Sequence, residues 1–430
     1  VSAATLAPSQ KMNKSPVVKH ASALMVSTVV SAALGFGFWL VAARWFPAST
    51  VGAGSALVSS MTLLASIAQL NLASLYARFV PTAGHRTRAL ILAGAGASII
   101  TGVVATLGWL AFGRDAGEST LLFGVAVVFS ALYFITDGAL NSLGRATLVP
   151  LKAVVASAGK VVLLVAWALT GAQLTGDGLL LLWTVPVVLT VIVTTWITLQ
   201  RLIPSHVTAT VDVHEPIDRA EVVRFASAEY VNAIVFNVVA FLPPVLVTSV
   251  VGPEQGAYFY LPWLFGVSAT TMLWNIVTSF VATASRDADA AAVWSHLTRS
   301  IKLGAAVALP GALVLILGAE PLLSVLGPGY AEHGTTALRV IGAAIPFTGV
   351  LLLYAALRFM RKQLWPLTAL QSAGGLVFLV ASWFGVHHFG LIAPAWAYLI
   401  TQAALAIIVT PTLVRHLRHY REAAALTSRR

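Results

Sequence analysis

Residues 201–223, RLIPSHVTATVDVHEPIDRAEVV, form the longest polar stretch of a chain that is otherwise overwhelmingly apolar. Working outward from it, six apolar runs precede it, at 22–44, 51–77, 89–112, 120–141, 148–170 and 179–199. Six more follow, at 225–251, 257–283, 303–325, 337–358, 365–386 and 391–414. Each approximates the ~20 residues that carry an α-helix across a hydrocarbon core. Strands of a membrane barrel would be about half as long and would alternate apolar and polar positions. These runs do neither. The expectation is an all-α polytopic membrane protein of about 12 transmembrane helices.

Composition agrees. The 430 residues are 58% hydrophobic and 10% charged, against about 45–50% and 25% in soluble chains. So little charge cannot cover a water-facing surface. With no cysteine, disulfides, thiolate metal sites and cysteine nucleophiles are excluded. The run after Lys11, Lys14 and Lys19 is longer than a signal-peptide core and leads straight into further spans, so it reads as span one.

The net charge of +11 would suit a nucleic-acid partner, but its placement points elsewhere. Apart from Arg44, Arg114, Lys160 and Arg339, every Lys and Arg falls in the two tails, the polar break or a loop after an even-numbered span. All of these lie on one side of a twelve-span chain. By the positive-inside rule that side is the cytoplasm, and both termini face it. The division that follows is a tail at 1–21, a first lobe at 22–199, a linker at 200–224, a second lobe at 225–414 and a basic tail at 415–430. Each half starts inside, so the halves are parallel repeats about an axis along the membrane normal. Trp45-Phe46-Pro47 before Val51-Gly52-Ala53 has a weak echo in Val251-Gly252-Pro253 before Gln255-Gly256-Ala257.

Three short motifs carry a resemblance. Span two ends Ala77-Arg78-Phe79-Val80-Pro81, span four leads into Gly144-Arg145-Ala146, and span seven ends Gly252-Pro253-Glu254-Gln255-Gly256-Ala257-Tyr258. They resemble the RF-x-P, GR-A and GP-x-x-G-x-Y signatures of the multidrug/oligosaccharidyl-lipid/polysaccharide (MOP) exporters, and of Wzx-like polysaccharide flippases in particular. The resemblance implies two six-helix, MATE-like lobes around a central cavity, with alternating access by rocking of one lobe against the other. It further implies a bacterial inner membrane and a lipid-linked glycan as substrate. Twelve spans fit Wzx-like flippases and drug exporters, whereas lipid II flippases usually have fourteen. Cation-coupled drug exporters typically carry an acid in the middle of span one, and ALMVSTVVSAALGFGFWLVAA (23–43) has none.

Charges inside spans cost several kcal/mol and need a reason. Lys160 lies about 12 residues into span five, ~18 Å deep at 1.5 Å per residue. It is a candidate for the diphosphate of the carrier lipid, or else a structural partner of Asp137. Asp137 is a candidate proton or ion-coupling residue. Glu229, Asn232 and Phe236 share one face of span seven, so Glu229 and Asn232 are cavity candidates, and Glu229 a second coupling candidate. Asn275, Arg78 and Arg339 complete the substrate-contact candidates. Gln69, Asn71, Asn237 and Gln371 read first as interhelical hydrogen bonders. Pro243-Pro244 is the candidate hinge. No cofactor or metal is expected: the adjacent His387 and His388 diverge on a helix, and there is no phosphate-binding loop of the Walker type.

Three functions are open at this point. The favoured one moves an undecaprenyl-diphosphate-linked oligosaccharide by alternating access. A cation-coupled multidrug exporter of the same fold is the first alternative. A membrane-embedded glycan ligase or polymerase is the second, disfavoured by short outer loops, and the protein is expected not to be an enzyme. Expected partners are the lipid-linked glycan and membrane lipids, with a glycan polymerase or glycosyltransferases as candidate contacts. The expectation is a functional monomer that binds no nucleic acid.

Overall fold

The computed structural model describes Val30 and residues 33–112, 117–209, 219–284, 290–361 and 364–427. The amino tail at 1–21, Arg114 and residues 210–218 of the linker lie outside the described residues, as do the side chains of Glu229 and Asn232.

The described chain is helical, without strands. The first half contains α1 (Ala33–Trp45), α2 (Ala48–Ala68), α3 (Leu72–Phe79), α4 (Thr87–Ala111), α5 (Thr120–Ser142), α6 (Leu148–Leu169), α7 (Gly176–Ile197) and α8 (Ile203–Ala209). The second contains α9 (Arg219–Val251), α10 (Pro253–Ala284), α11 (Ala290–Leu317), α12 (Ala319–Ser324), α13 (Pro328–Met360), α14 (Leu364–Phe389) and α15 (Ala393–Thr427). Ten helical stretches are long and apolar enough to cross a bilayer, and the last of them, Trp365–Ala425, is α14 and α15 joined by a 3-10 turn at Gly390–Ile392. With the shorter apolar α1, this makes twelve crossings among the described residues. The chain is a multi-pass membrane protein of two lobes.

Local chemistry sets the helix ends. Ser119 caps α5, its hydroxyl accepting from Leu122 N at 3.2 Å, and Thr175 caps α7 by accepting from Gly178 N at 3.1 Å. Asp177 then accepts from the Ser119 amide at 2.8 Å, tying the two starts together. Outward faces are greasy: Ile100, Val104 and Leu107 on α4 are 59–67% exposed, as a lipid-facing stripe should be.

Three features depart from the sequence expectation. Span two is not one helix, because Leu70 (φ 53°) and Asn71 (φ 50°) adopt the left-handed conformation and split it into α2 and α3. No glycine or proline marks this break. Span six continues past residue 199, through a π-helical turn at Thr198–Leu202, into α8. Pro310 does not interrupt span nine, since α11 runs through it, beginning thirteen residues before the expected start at 303.

The helices have two kinds of end. The basic end gathers Arg78, Arg145, Arg358, Arg361 and Arg415. The opposite end carries the α1–α2 and α9–α10 turns, and there the lobes are in contact. A Cβ at Gly52 of α2 would collide with the Pro253 carbonyl at the start of α10. Deeper in, Trp39 of α1 meets Tyr260 of α10 edge-on at 4.7 Å, and Phe36 meets Phe265 at 4.8 Å.

Candidate functional site

Between the lobes lies a cavity of about 410 Å³. Its walls come from α1, α2, α5, α6 and α7 of the first lobe, and from α9 and α10 of the second. Three α1 residues, Gly35, Phe36 and Trp39, line one side. Ser59 and Thr62 of α2 and Ser130 of α5 add hydroxyls, Ser130 pointing its Oγ at Met61 Sδ at 3.4 Å. Phe241, Tyr260 and Ser268 close it from the second lobe.

Lys160 reaches this cavity from α6. Its Nζ stands 3.6 Å from the centroid of the Trp183 ring of α7, a cation–π contact. Trp183 is itself wedged by Phe38 at 5.1 Å and Trp39 at 5.7 Å. Gly159 makes the approach feasible, because a Cβ there would press on Pro186, one turn beyond Trp183, at 3.0 Å. Among the described residues no carboxylate pairs with Lys160, and none lines the cavity.

The acid considered as its partner is engaged elsewhere. Asp137 Oδ1 pairs with Lys152 Nζ at 2.5 Å. Lys152 is 5% exposed, donates to the Tyr133 carbonyl at 2.6 Å and to Thr136 Oγ1 at 2.9 Å, and sits 3.6 Å from the Tyr133 ring centroid. Sequence reasoning had counted Lys152 as a loop charge. Lys152 lies inside α6, whose start at Leu148 matches the expected start of span five, and it is buried because it turns onto α5, where Asp137, Thr136 and Tyr133 receive it.

The other candidates scatter. Asn275 is exposed on α10 and continues a stripe of Ser268, Thr271 and Thr278 from the cavity toward the basic end. Exposed hydroxyls and amides in this row suit a water-filled cleft better than lipid. Arg78 lies exposed at the basic end beside Phe79, its guanidinium 5.7 Å from that ring. Arg339 lies outside the cavity and donates from Nε to the Ile316 carbonyl at 3.3 Å, next to the last residue of α11, where a cation meets the helix's free carbonyls. Pro243 and Pro244 sit inside an unbroken α9.

Sequence reasoning missed Trp39, Trp183 and Tyr260. Their spacing is that of any apolar helix, and only the fold brings them together.

No family model and no curated protein matches the sequence. The structure does find similar folds. A multidrug-resistance MATE family transporter of the MOP superfamily, in an inward-facing conformation, superposes with a TM-score of 0.68 over 91% of this chain and 95% of its own, at 15% identity. The chain shares the fold of this transporter. The lipid II flippase MurJ, in an inward closed conformation, aligns with a TM-score of 0.64 over 94% of this chain and 90% of its own, at 12% identity. A MOP superfamily transporter from Pyrococcus furiosus, described as having a binding pocket of reversed polarity, gives 0.63 at 13% identity over 94% of this chain and 96% of its own. At these identities the likeness fixes architecture, and substrate must be argued from the cavity.

Proposed function

We propose that the protein moves an anionic, lipid-linked headgroup across the bacterial inner membrane, an undecaprenyl-diphosphate-linked oligosaccharide being the best fit. The observation that carries this is Lys160: a cation in an aromatic-walled cavity between two lobes, with no carboxylate among the described residues beside it. An ammonium is a compact point charge suited to phosphate. A cationic drug would need a carboxylate there, and Asp137 is held by Lys152. The MurJ likeness shows that this architecture hosts a lipid II flippase.

In this reading both termini are cytoplasmic. The lobes, 22–199 and 225–414, rock about the linker 200–224, with Pro243-Pro244 as a point of flexure in α9. The headgroup enters at the basic end, where Arg78 and the α10 stripe with Asn275 guide it, and leaves past the Gly52–Pro253 contact. With the inside negative, outward movement of each negative charge is favoured by ~2.3 kcal/mol per 100 mV. The potential alone can therefore drive transport.

The test is translocation of a fluorescent undecaprenyl-diphosphate glycan in vesicles with an imposed inside-negative potential. Protein-dependent flipping that is lost in Lys160→Ala supports the reading. Efflux of cationic dyes without glycan flipping refutes it in favour of the drug-exporter alternative.

A further inference from the structure

The second lobe carries an apolar groove of about 290 Å³ among α10, α11 and α13, apart from the cavity that Lys160 enters. One helix, α10, stands between them. Leu264 and Ser268 face the Lys160 cavity, while Leu273, Val277 and Phe280 face the groove. With about 3.6 residues per turn, the two sets fall on opposite sides of the helix. The groove is therefore separate from the transport path. Leu309 of α11, 59% exposed, belongs to its lining, so it opens on the surface that meets lipid.

Its three walls run in step. From the basic end inward they pass from Phe280 to Leu273 on α10, from Ser300 to Leu309 on α11 and from Ala356 to Pro346 on α13. At 1.5 Å per residue these stretches are ~10–15 Å long. A hydrocarbon core is about 30 Å thick, so one leaflet is ~15 Å deep. The groove thus has the length of one acyl leaflet, counted from the basic end. Gly304 leaves it open, since a Cβ there would meet no atom within 4 Å. A lipid chain that fits such a slot gains close packing, the main attraction available inside a bilayer.

The mouth at the basic end is cationic. Arg299, Lys302, Ala305 and Leu309 follow one another on α11 at steps of three and four residues. Ala305 and Leu309 line the groove, and the exposed Arg299 and Lys302 carry the same flank outward, beside the Ser300 hydroxyl. An apolar slot one leaflet long that ends under two cations matches an anionic phospholipid in shape and in charge. We propose that the groove binds such a lipid from the leaflet at the basic end. One acyl chain lies between α10, α11 and α13, and the headgroup phosphate sits on Arg299 and Lys302. A substrate held at Lys160 would reach the groove only by passing round α10, so the occupant is a lipid of the bilayer itself.

Fluorescence quenching at one labelled position tests this, with the full chain in phosphatidylcholine vesicles. The sequence has no cysteine, so a Leu313→Cys variant takes a single fluorophore one turn beyond Leu309, exposed and outside the lining. A label at Leu107→Cys on α4 is the reference. The probes are phosphatidylglycerol and phosphatidylcholine with brominated acyl chains. At position 313 the phosphatidylglycerol should reach half-maximal quenching at a mole fraction at least about 10-fold lower, since each cation near the surface is worth about 1 kcal/mol toward an anionic lipid. At position 107 the two probes should agree within about 2-fold. Arg299→Gln/Lys302→Gln should bring position 313 to within about 2-fold as well. Gly304→Leu, which fills the groove and spares the cations, should also remove the preference. Equal quenching by the two probes at position 313 of the otherwise unaltered chain overturns the proposal. So does an equal preference at position 107, or a preference that survives either change. If the charge variant fails to insert, Gly304→Leu alone decides. Displacement of the brominated lipid by undecaprenyl phosphate but not by unbrominated phosphatidylglycerol would assign the groove to a substrate's tail and overturn the proposal too.

Discussion

Tyr133 and Asp137 are one turn apart near the basic end of α5, and the second lobe repeats the spacing on α13 with Tyr354 and Arg358. In the first lobe the acid meets a buried Lys152 from α6. In the second, Arg358 Nε donates to its own Tyr354 hydroxyl at 2.8 Å, and the guanidinium lies over that ring. One lobe thus engages Asp137 in an internal ion pair and keeps a separate cation, Lys160, in the central cavity, with no carboxylate beside it among the described residues. Its counterpart keeps Arg358 at the basic end, and among the described residues its interior cavity is lined by neutral groups, Gln371 and Gln402 included. Two halves with the same helix plan have divided the labour, charge on one side and hydrogen bonding on the other.

The largest expected effect removes that charge. Lys160→Ala should abolish headgroup flipping, while Lys160→Arg retains part of it. Lys160→Glu should go further and favour cationic dyes over the glycan, which can be read in the same vesicles. Equal glycan transport by Lys160→Ala and wild type would remove the charge asymmetry from the mechanism.

Next comes the buried pair. Lys152→Ala leaves Asp137, whose side chain is 32% exposed, without its partner, a loss on the order of 1–3 kcal/mol. The double change Lys152→Met/Asp137→Leu should recover most of it, because replacing both partners with apolar groups is often neutral. Thermal unfolding of the detergent-purified variants distinguishes the two. If glycan flipping survives in the double variant, the pair is architecture. If it disappears while stability is restored, Asp137 has a role in coupling.

Much of this was legible in the sequence, and the limits have physical causes. The twelve crossings and the two-lobe plan follow from apolar length and from arginine placement, which are properties of single segments. The place of Lys160 midway along its helix followed from counting along one span. The Asp137–Lys152 pair was within reach, since both lie nearly equidistant from Gly144 at the turn between their helices, so a tight hairpin sets them at one depth. It was passed over because Lys152 looked like a loop residue. The Trp39–Trp183–Tyr260 box could not be read, because nothing in apolar helices distinguishes a ring that faces a cavity from one that faces lipid. Nor could the break at Leu70–Asn71, where tertiary contacts hold a leucine at positive φ against its own preference.

The contact that closes the end opposite the basic one offers a third test. Gly52→Val should drive α2 away from the Pro253 carbonyl and open that end. Cysteine-free sequence makes the readout clean. A Ser59→Cys reporter, 2% exposed in the cavity wall, should be modified faster from that side by a membrane-impermeant thiol reagent when Gly52→Val is present. An unchanged rate would mean that the contact does not gate the cavity.

The smallest expected effect concerns the break in span two. Ile67, three residues before it, offers its carbonyl to two donors: Leu70 N at 3.2 Å and the Tyr230 hydroxyl of α9 at 2.7 Å. The second bond joins the lobes toward the basic end, at the point where the helix ladder of α2 is interrupted. A backbone carbonyl freed by such a break is costly in a membrane unless something satisfies it, and here the other lobe supplies the donor. Tyr230→Phe should therefore cost only about 1 kcal/mol, or roughly fivefold in the balance between joined and separated lobes. That shift should appear as faster modification of a Thr271→Cys reporter on the α10 stripe. Tyr76→Phe is the matched control, because Tyr76 makes the same kind of bond, to the Ile91 carbonyl at 3.1 Å, entirely within the first lobe. It should lower thermal stability and leave the labelling rate alone. If both variants change the rate alike, the effect is general loosening, and Tyr230 is an ordinary packing residue, not a latch between the lobes.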